Sequence, residues 1–355
     1  MYLRSMSWFL TKLLQGPPIM ELIISNLVKL DVDWQVELPA EDDPVPDFFD
    51  ADRPEDADDL DEEQKEQVFA WRVKLQLVAS QRRTSDDNDD AESDTDSELD
   101  EDDPNYDAEV VQIEKAAALG QKLDAIMDLL FRLYDRIFEN PESDEARGAF
   151  QQMVSNFDKH ILPTRRSRHT QFLIFHYSQK ADFLMDAFLG ELLLFSFQSN
   201  RQAALREAAV AYLGSFVARG ANVTREIVRQ VTTILCSRIR HFSELHKDRC
   251  RGPNLQKYRD LYAWFQALLY IFCFRWKDLV ISPNLVDLDE PLSYRKHEIH
   301  YIRDFRETLL SLIGSRFNPL KVCAPAIVRC TTNRFLDVFA HMFAGRPVRR
   351  SRTRT

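Results

Sequence analysis

Five cysteines and eight histidines are the side chains here best suited to hold a metal, and their spacing decides whether they can. Zinc sites are usually built from cysteine pairs two to four residues apart. The closest pair in this chain, Cys323 and Cys330, is seven apart on a predicted helix, which suits buried small apolar side chains better than ligands. With Cys236, Cys250 and Cys273 they make an odd number of thiols behind an N-terminus that lacks a secretory pattern. A disulfide framework is therefore not expected, and a reducing compartment is. His169 and His176, seven residues apart around Phe172, Leu173, Ile174 and Phe175, are placed on one helix face. That is too far for joint ligation and suits core or capping histidines. Asp86–Asp90 and the acids after Ser93 could chelate cations, but they lack the spacing of a calcium loop. A phosphate cradle needs clustered glycines before a helix, and neither G-x-x-x-x-G-K-[ST] nor G-x-G-x-x-G occurs. There is no G-x-S-x-G nucleophile elbow either. We expect no catalytic residue, cofactor, metal or small-molecule substrate.

The chemistry that remains is charge. The formal net charge is −11, but it is unevenly spread. Glu41 to Asp107 holds 27 acidic and 6 basic residues, net −21, which leaves the rest of the chain at +10. So acidic a segment repels itself and is expected to stay largely disordered, with one short helix at 62–80, where Val68, Phe69, Trp71, Val73, Leu75, Leu77 and Val78 cluster. Ser93, Thr95 and Ser97 each have an acid three positions on (Asp96, Glu98, Asp100), the pattern of an acid-directed kinase site; a merely solubilising tract is the alternative. Two basic stretches stand against this. Lys159, Arg165, Arg166 and Arg168 fall on an expected joint between helices, where side chains are presented to partners, or where they are simply solvated. Arg346 to Thr355 is a basic tail that fits nuclear import, nucleic-acid contact or no role.

These residues must be positioned by helices. Only 9 glycines serve 355 residues, and 45% of the chain is hydrophobic, so a large core is available while the turn chemistry of strand-rich folds is scarce. From Leu123 to Phe138 apolar side chains recur at three- and four-residue steps, and Asn140-Pro141 ends that run. Comparable stretches are expected at 169–197, 201–219, 224–242, 256–276, 297–313 and 320–342. The most apolar, Leu261 to Phe274, is 14 residues long and contains Gln266, too short to span a bilayer. Helices joined by short loops lie antiparallel, so the expectation is an all-α, HEAT-repeat-like solenoid of antiparallel helix pairs; a compact irregular bundle is the alternative. Its expected divisions are N-terminal helices at 1–39, the acidic insertion at 40–107, the main solenoid at 108–345 and the basic tail at 346–355.

Several segments taken in order resemble the RNA polymerase I-specific transcription initiation factor family. They are Glu21 to Gln35 (ELIISNLVKLDVDWQ), Phe157 to Thr164 (FDKHILPT), His169 to Phe175 (HTQFLIF), Ala208 to Arg219 (AAVAYLGSFVAR) and Phe317 to Val328 (FNPLKVCAPAIV). The acidic insertion lies where that family carries a variable acidic loop. The resemblance covers roughly residues 1–330; family members extend further on the N-terminal side, and the pattern is not continued beyond Val328.

The resemblance implies a HEAT-repeat fold, a nuclear and nucleolar location, no catalysis and a role in recruiting polymerase I to ribosomal RNA gene promoters. Partners would be polymerase I subunits in the stalk region and promoter-bound core initiation factors, with weak nucleic-acid contact and no membrane. Contact candidates on the matched segments are Lys159, Thr164, Arg165, Arg166 and Arg168 on the joint, and Ser215 and Arg219 on the helix beyond. Two rival readings share the helices: an importin-like or other nuclear HEAT-repeat adaptor, and a basic nucleic-acid-binding scaffold whose affinity would fall steeply with salt.

Overall fold

Apolar periodicity, interrupted by proline, glycine and capping hydroxyls, sets nine α-helices among the described residues up to Ile313 of the computed structural model, with further helical backbone at 325–331. Those residues are 17–37, 104–164, 167–281 and 301–331. The first 16 residues, the insertion through residue 103 with its expected helix at 62–80, Ser93, Thr95 and Ser97, Arg165 and Arg166, and the basic tail lie outside them. Residues 104–107, expected as the end of the insertion, instead form the first turn of a helix.

The described residues fall into two compact units that divide between Ala181 and Asp182. In the first unit, α1 (Pro17–Glu37) buries Met20, Ile24, Leu27, Val28 and Asp31, a stripe at steps of three and four that faces its neighbours. It packs against α2 (Pro104–Ile137) and α3 (Asp144–Asn156), and α4 (Phe172–Ser178) packs on α2 and α3. Gly120 of α2 lets the two long helices meet. A Cβ there would stand 3.2 Å from the Trp34 indole nitrogen of α1, tighter than ordinary contact. The end of α1 is tied down as well: Gln112 donates to the Glu37 carbonyl at 3.3 Å, satisfying one of the last helical acceptors. The expected stop at Asn140-Pro141 is observed, α2 ending at Ile137. Ser143 then caps α3 by accepting from the Ala146 amide at 3.1 Å.

The second unit holds α5 (Asp182–Phe197), α6 (Ala203–Arg219), α7 (Arg225–His246), α8 (Arg259–Arg275) and α9 (Arg303–Ile313). Here α5 packs on α6 and α7 on α8, while α6 also packs on α8 and α7 on α9. Contact of α6 with α8 and of α7 with α9, in each case the next helix but one, is what stacked helix pairs produce, so the HEAT-like reading holds within this unit. The core is α8, whose side chains from Leu261 to Cys273 are all buried except Ala263. Gln266, the one polar residue in that run, accepts from the Ala324 amide at 2.8 Å, so its burial leaves no orphaned acceptor. Pairs are locked at their ends: Arg275 donates to the Val223 carbonyl at 2.6 Å, and Arg229 donates to the carbonyls of Asp278 and Val280 at 2.7 Å each. No strand occurs among the described residues, where Val280 and Tyr301 form one isolated bridge, and none of their helices is long and apolar enough to cross a membrane.

Two expected helices differ. The stretch 169–197 is broken into α4 and α5, with Gln179 at φ −90° and ψ 1° ending the first. The stretch expected to run from 320 begins instead with a short 3-10 turn, Pro319–Lys321, after Asn318 at φ 39°. Helical backbone follows from 325 to 331, where the described residues end. Cys323 is therefore in the turn before that helix, not on it with Cys330.

Candidate interaction surface

The described residues of the joint between α3 and α4, 157–164 and 167–171, are tied to their surroundings. After Asn156 the helix continues as a π-turn, Phe157–Ile161, in which one extra residue widens the coil and turns Lys159 and His160 toward α1. There both meet Glu21, at 3.3 and 3.4 Å. Hydrogen bonds and charge from Lys159, and then from His160, hold the half-buried Glu21 carboxyl below its ordinary value. The Thr164 hydroxyl donates to the His160 carbonyl at 2.8 Å, closing the turn.

From Ser167 the backbone wraps around a single carboxylate. Asp31, fully buried on α1, accepts at Oδ2 from the amides of Arg168 (3.0 Å), His169 (2.8 Å) and Thr170 (3.1 Å) and from the hydroxyls of Ser167 (2.7 Å) and Thr170 (3.1 Å). Its Oδ1 stands 2.9 Å from His169 Nδ1. Burial alone would raise this carboxyl, but the bonds from His169, Ser167 and Thr170 outweigh it and leave the group below its ordinary value. An anion accepting several N–H and O–H groups is the strong form of hydrogen bond. Because Arg168, His169 and Thr170 spend their amides on Asp31, they are not helical, and α4 starts only at Phe172. His169 and His176 thus do not share a helix face, contrary to what the sequence spacing suggests: the His169 ring lies tilted against Trp34 at 4.9 Å, whereas His176 lies on α4 edge-on to Phe131 at 5.5 Å.

In the second unit, α6 is buried from Ala208 to Ala218 at every position but Ser215. Ser215 and Arg219, four residues apart, therefore share the strip of α6 that its neighbours leave uncovered. The Arg219 guanidinium lies over the rings of Tyr270 (5.4 Å) and Phe274 (5.2 Å) of α8, cation–π contacts that fix its direction while leaving it exposed.

The candidate residues thus form two groups: Lys159, Thr164 and Arg168 on the first unit, Ser215 and Arg219 on the second. Lys159 is engaged with Glu21, and Thr164 with the backbone. Asp31 and Glu21, which hold the joint, were not singled out by sequence reasoning; the available signal was an aspartate on the apolar stripe of α1. Among the described residues no three His, Cys, Asp or Glu side chains cluster as metal ligands.

Residues 11–338 match the model of the family described as RNA polymerase I specific transcription initiation factor RRN3. The chain belongs to that family. The family is one of transcription initiation factors, not of enzymes, and the match runs past Val328, the last residue of the segments that carry the resemblance. Curated relatives carry the name RNA polymerase I-specific transcription initiation factor RRN3. The Saccharomyces cerevisiae protein is 32% identical over 208 residues, 58% of this chain and 31% of the relative. The Schizosaccharomyces pombe protein is 30% identical over 210 residues, 59% and 34%. The Mus musculus protein is 26% identical over 262 residues, 72% and 37%. The chain spans about a third of the length of these relatives. A solved structure described as the crystal structure of RNA polymerase I transcription initiation factor Rrn3 superposes with a TM-score of 0.55 at 28% identity, covering 65% of this chain and 46% of that one.

Proposed function

We propose that this chain is a nuclear, nucleolar recruitment factor that binds RNA polymerase I in the region of its stalk subunits and bridges it to promoter-bound core initiation factors at ribosomal RNA genes. The observation that carries this reading is the family match over 11–338. The mechanism is recruitment: no bond is made or broken, and the work is done by affinity and geometry. The segment 167–170 supports a binding role, because backbone already held by Asp31 loses little conformational freedom when a partner docks.

Lys159, Thr164, Arg165, Arg166 and Arg168 form one proposed contact, and Ser215 with Arg219 another. The excess positive charge outside the insertion adds weak nucleic-acid contact. Phosphorylation of Ser93, Thr95 and Ser97 would each add about −1.5 to −2 charges to the acidic insertion and draw it toward the basic surface.

The test is a binding titration of purified polymerase I with the chain and two variants, one with Arg165, Arg166 and Arg168 changed to Glu, the other Arg219→Glu. Weakening by about tenfold in either variant, corresponding to about 1.4 kcal/mol, supports the assigned contacts. Unchanged affinity in both variants overturns them, and binding of basic import cargo in place of the polymerase overturns the recruitment reading itself.

A further inference from the structure

In the second unit, the joint between α7 and α8 has its backbone fixed along its length. It opens with a 3-10 turn, Lys247–Arg249, after which Cys250 is fully buried and its thiol donates to the Gly252 carbonyl at 3.5 Å. The Arg249 carbonyl accepts from the buried Tyr258 hydroxyl at 3.5 Å, and the Cys250 carbonyl accepts from Arg316 at 3.4 Å. Further on, the Asn254 side chain accepts from the Lys257 amide at 2.8 Å, and the Asn254 amide donates to the Tyr262 hydroxyl at 3.3 Å. A joint held in this way meets a partner already shaped, which lowers the ordering cost of binding.

What this backbone displays is both cationic and apolar. Lys247, Arg249, Arg251 and Lys257 are all exposed, and the same stretch carries one acid, Asp248. Lys247 is paired with Glu244 one turn earlier, and Lys257 lies over the Tyr258 ring at 5.2 Å. Arg249 and Arg251, on either side of Cys250, have no ion-pair partner among the described residues. Leu245 and Leu255 flank them in the chain at 63% and 48% exposure. The rings of His246 and Tyr258, at the two ends of the joint, are 6.3 Å apart, so both leucines are carried at the same end of the helix pair. Arg219 is elsewhere, over Tyr270 and Phe274 in the last turns of α8.

We propose that the α7–α8 joint is a docking site for an acidic segment of another protein that carries large aliphatic side chains. Arg249 and Arg251 take its carboxylates, since a guanidinium fork matches a carboxylate, and Leu245 and Leu255 receive its aliphatic side chains. A nucleic-acid backbone fits less well: it would use the arginines, but it would leave both leucines without apolar contact and bring phosphates against Asp248.

The full chain is titrated into three labelled probes and binding is read by fluorescence anisotropy. Two are synthetic peptides of equal length and charge, one interleaving Glu with Leu and the other Glu with Ser; the third is a single-stranded DNA of matching charge. The Glu/Leu peptide should bind about tenfold more tightly than either other probe, equivalent to about 1.4 kcal/mol. Changing Arg249→Glu with Arg251→Glu should weaken it by about tenfold again. Changing Leu245→Ser with Leu255→Ser should bring its affinity down to that of the Glu/Ser peptide. Circular dichroism checks that each variant folds, and the single changes Arg251→Glu and Leu255→Ser carry the comparison if a double variant does not. Equal binding of the two peptides, no binding of the Glu/Leu peptide, tighter binding of the DNA, or an affinity unchanged in the folded variants overturns the proposal.

Discussion

Replacing Asp31 by alanine removes the acceptor for three backbone amides and two hydroxyls at 2.7–3.1 Å and the partner of His169 at 2.9 Å. Thr170 and Ser167 are buried, so water cannot readily replace the lost acceptor, and each unsatisfied buried donor costs about 1–3 kcal/mol before relaxation. Relaxation of the loop recovers part of that. Breaking a buried, hydrogen-bonded charge typically costs about 3–5 kcal/mol, a large fraction of the roughly 5–15 kcal/mol that holds a domain together. Asp31→Asn keeps one acceptor oxygen at nearly the same volume and should lose only about 1–2 kcal/mol. Urea unfolding gives the totals, and hydrogen exchange at the Arg168, His169 and Thr170 amides locates the loss. Acid should reproduce it. The folded carboxyl lies below its ordinary 3.8, so its contribution is complete above that pH and disappears as pH falls through the folded value. The three amides should therefore lose protection first on acidification, and the acid dependence should be absent from Asp31→Ala. A cost under about 1 kcal/mol for Asp31→Ala, with those amides still protected, would refute the role assigned to this carboxylate.

Other consequences are local. Tyr177, fully buried, donates to the Phe131 carbonyl at 2.8 Å and to Asp135 at 3.1 Å. Tyr177→Phe should cost about 1–2 kcal/mol in urea unfolding, and a neutral result would mean those bonds are not made in solution. Arg206 forks onto Asp260 with contacts of 2.9–3.1 Å across α6 and α8. Both side chains are mostly buried, so Arg206→Ala should destabilise by about 2–4 kcal/mol, as read by thermal unfolding. Burial pushes the thiols of Cys236 and Cys323 up to about 12. Alkylation of the native chain at pH 8 should leave both unmodified and reach Cys330 faster; rapid labelling of either buried thiol would contradict the packing of the second unit.

Much of this architecture could be anticipated because helices announce themselves through apolar periodicity and proline stops. The end of α2 before Pro141 and the extents of α6, α7 and α8 follow from local pattern alone. The break between α4 and α5 does not, since Phe172 to Phe197 is apolar enough to read as one run, and it is interrupted where the two units divide. The basic joint was visible as a run of arginines. What holds its C-terminal half was not: Asp31 is 136 residues away from Ser167 in the chain, and nothing local links them. An aspartate in step with Met20, Ile24, Leu27 and Val28 was the one visible sign, since a carboxylate enters a core only where donors await it. The aromatic bed under Arg219 was hidden for the same reason, because Tyr270 and Phe274 lie on a different helix and meet Arg219 only through the packing of α6 on α8.

The central claim is that this chain engages RNA polymerase I, and mixing it with purified polymerases I, II and III, each in turn, tests that most directly. Size-exclusion chromatography with mass measurement should show a stoichiometric complex with polymerase I alone. Equal association with all three polymerases, or none with polymerase I, would contradict the account.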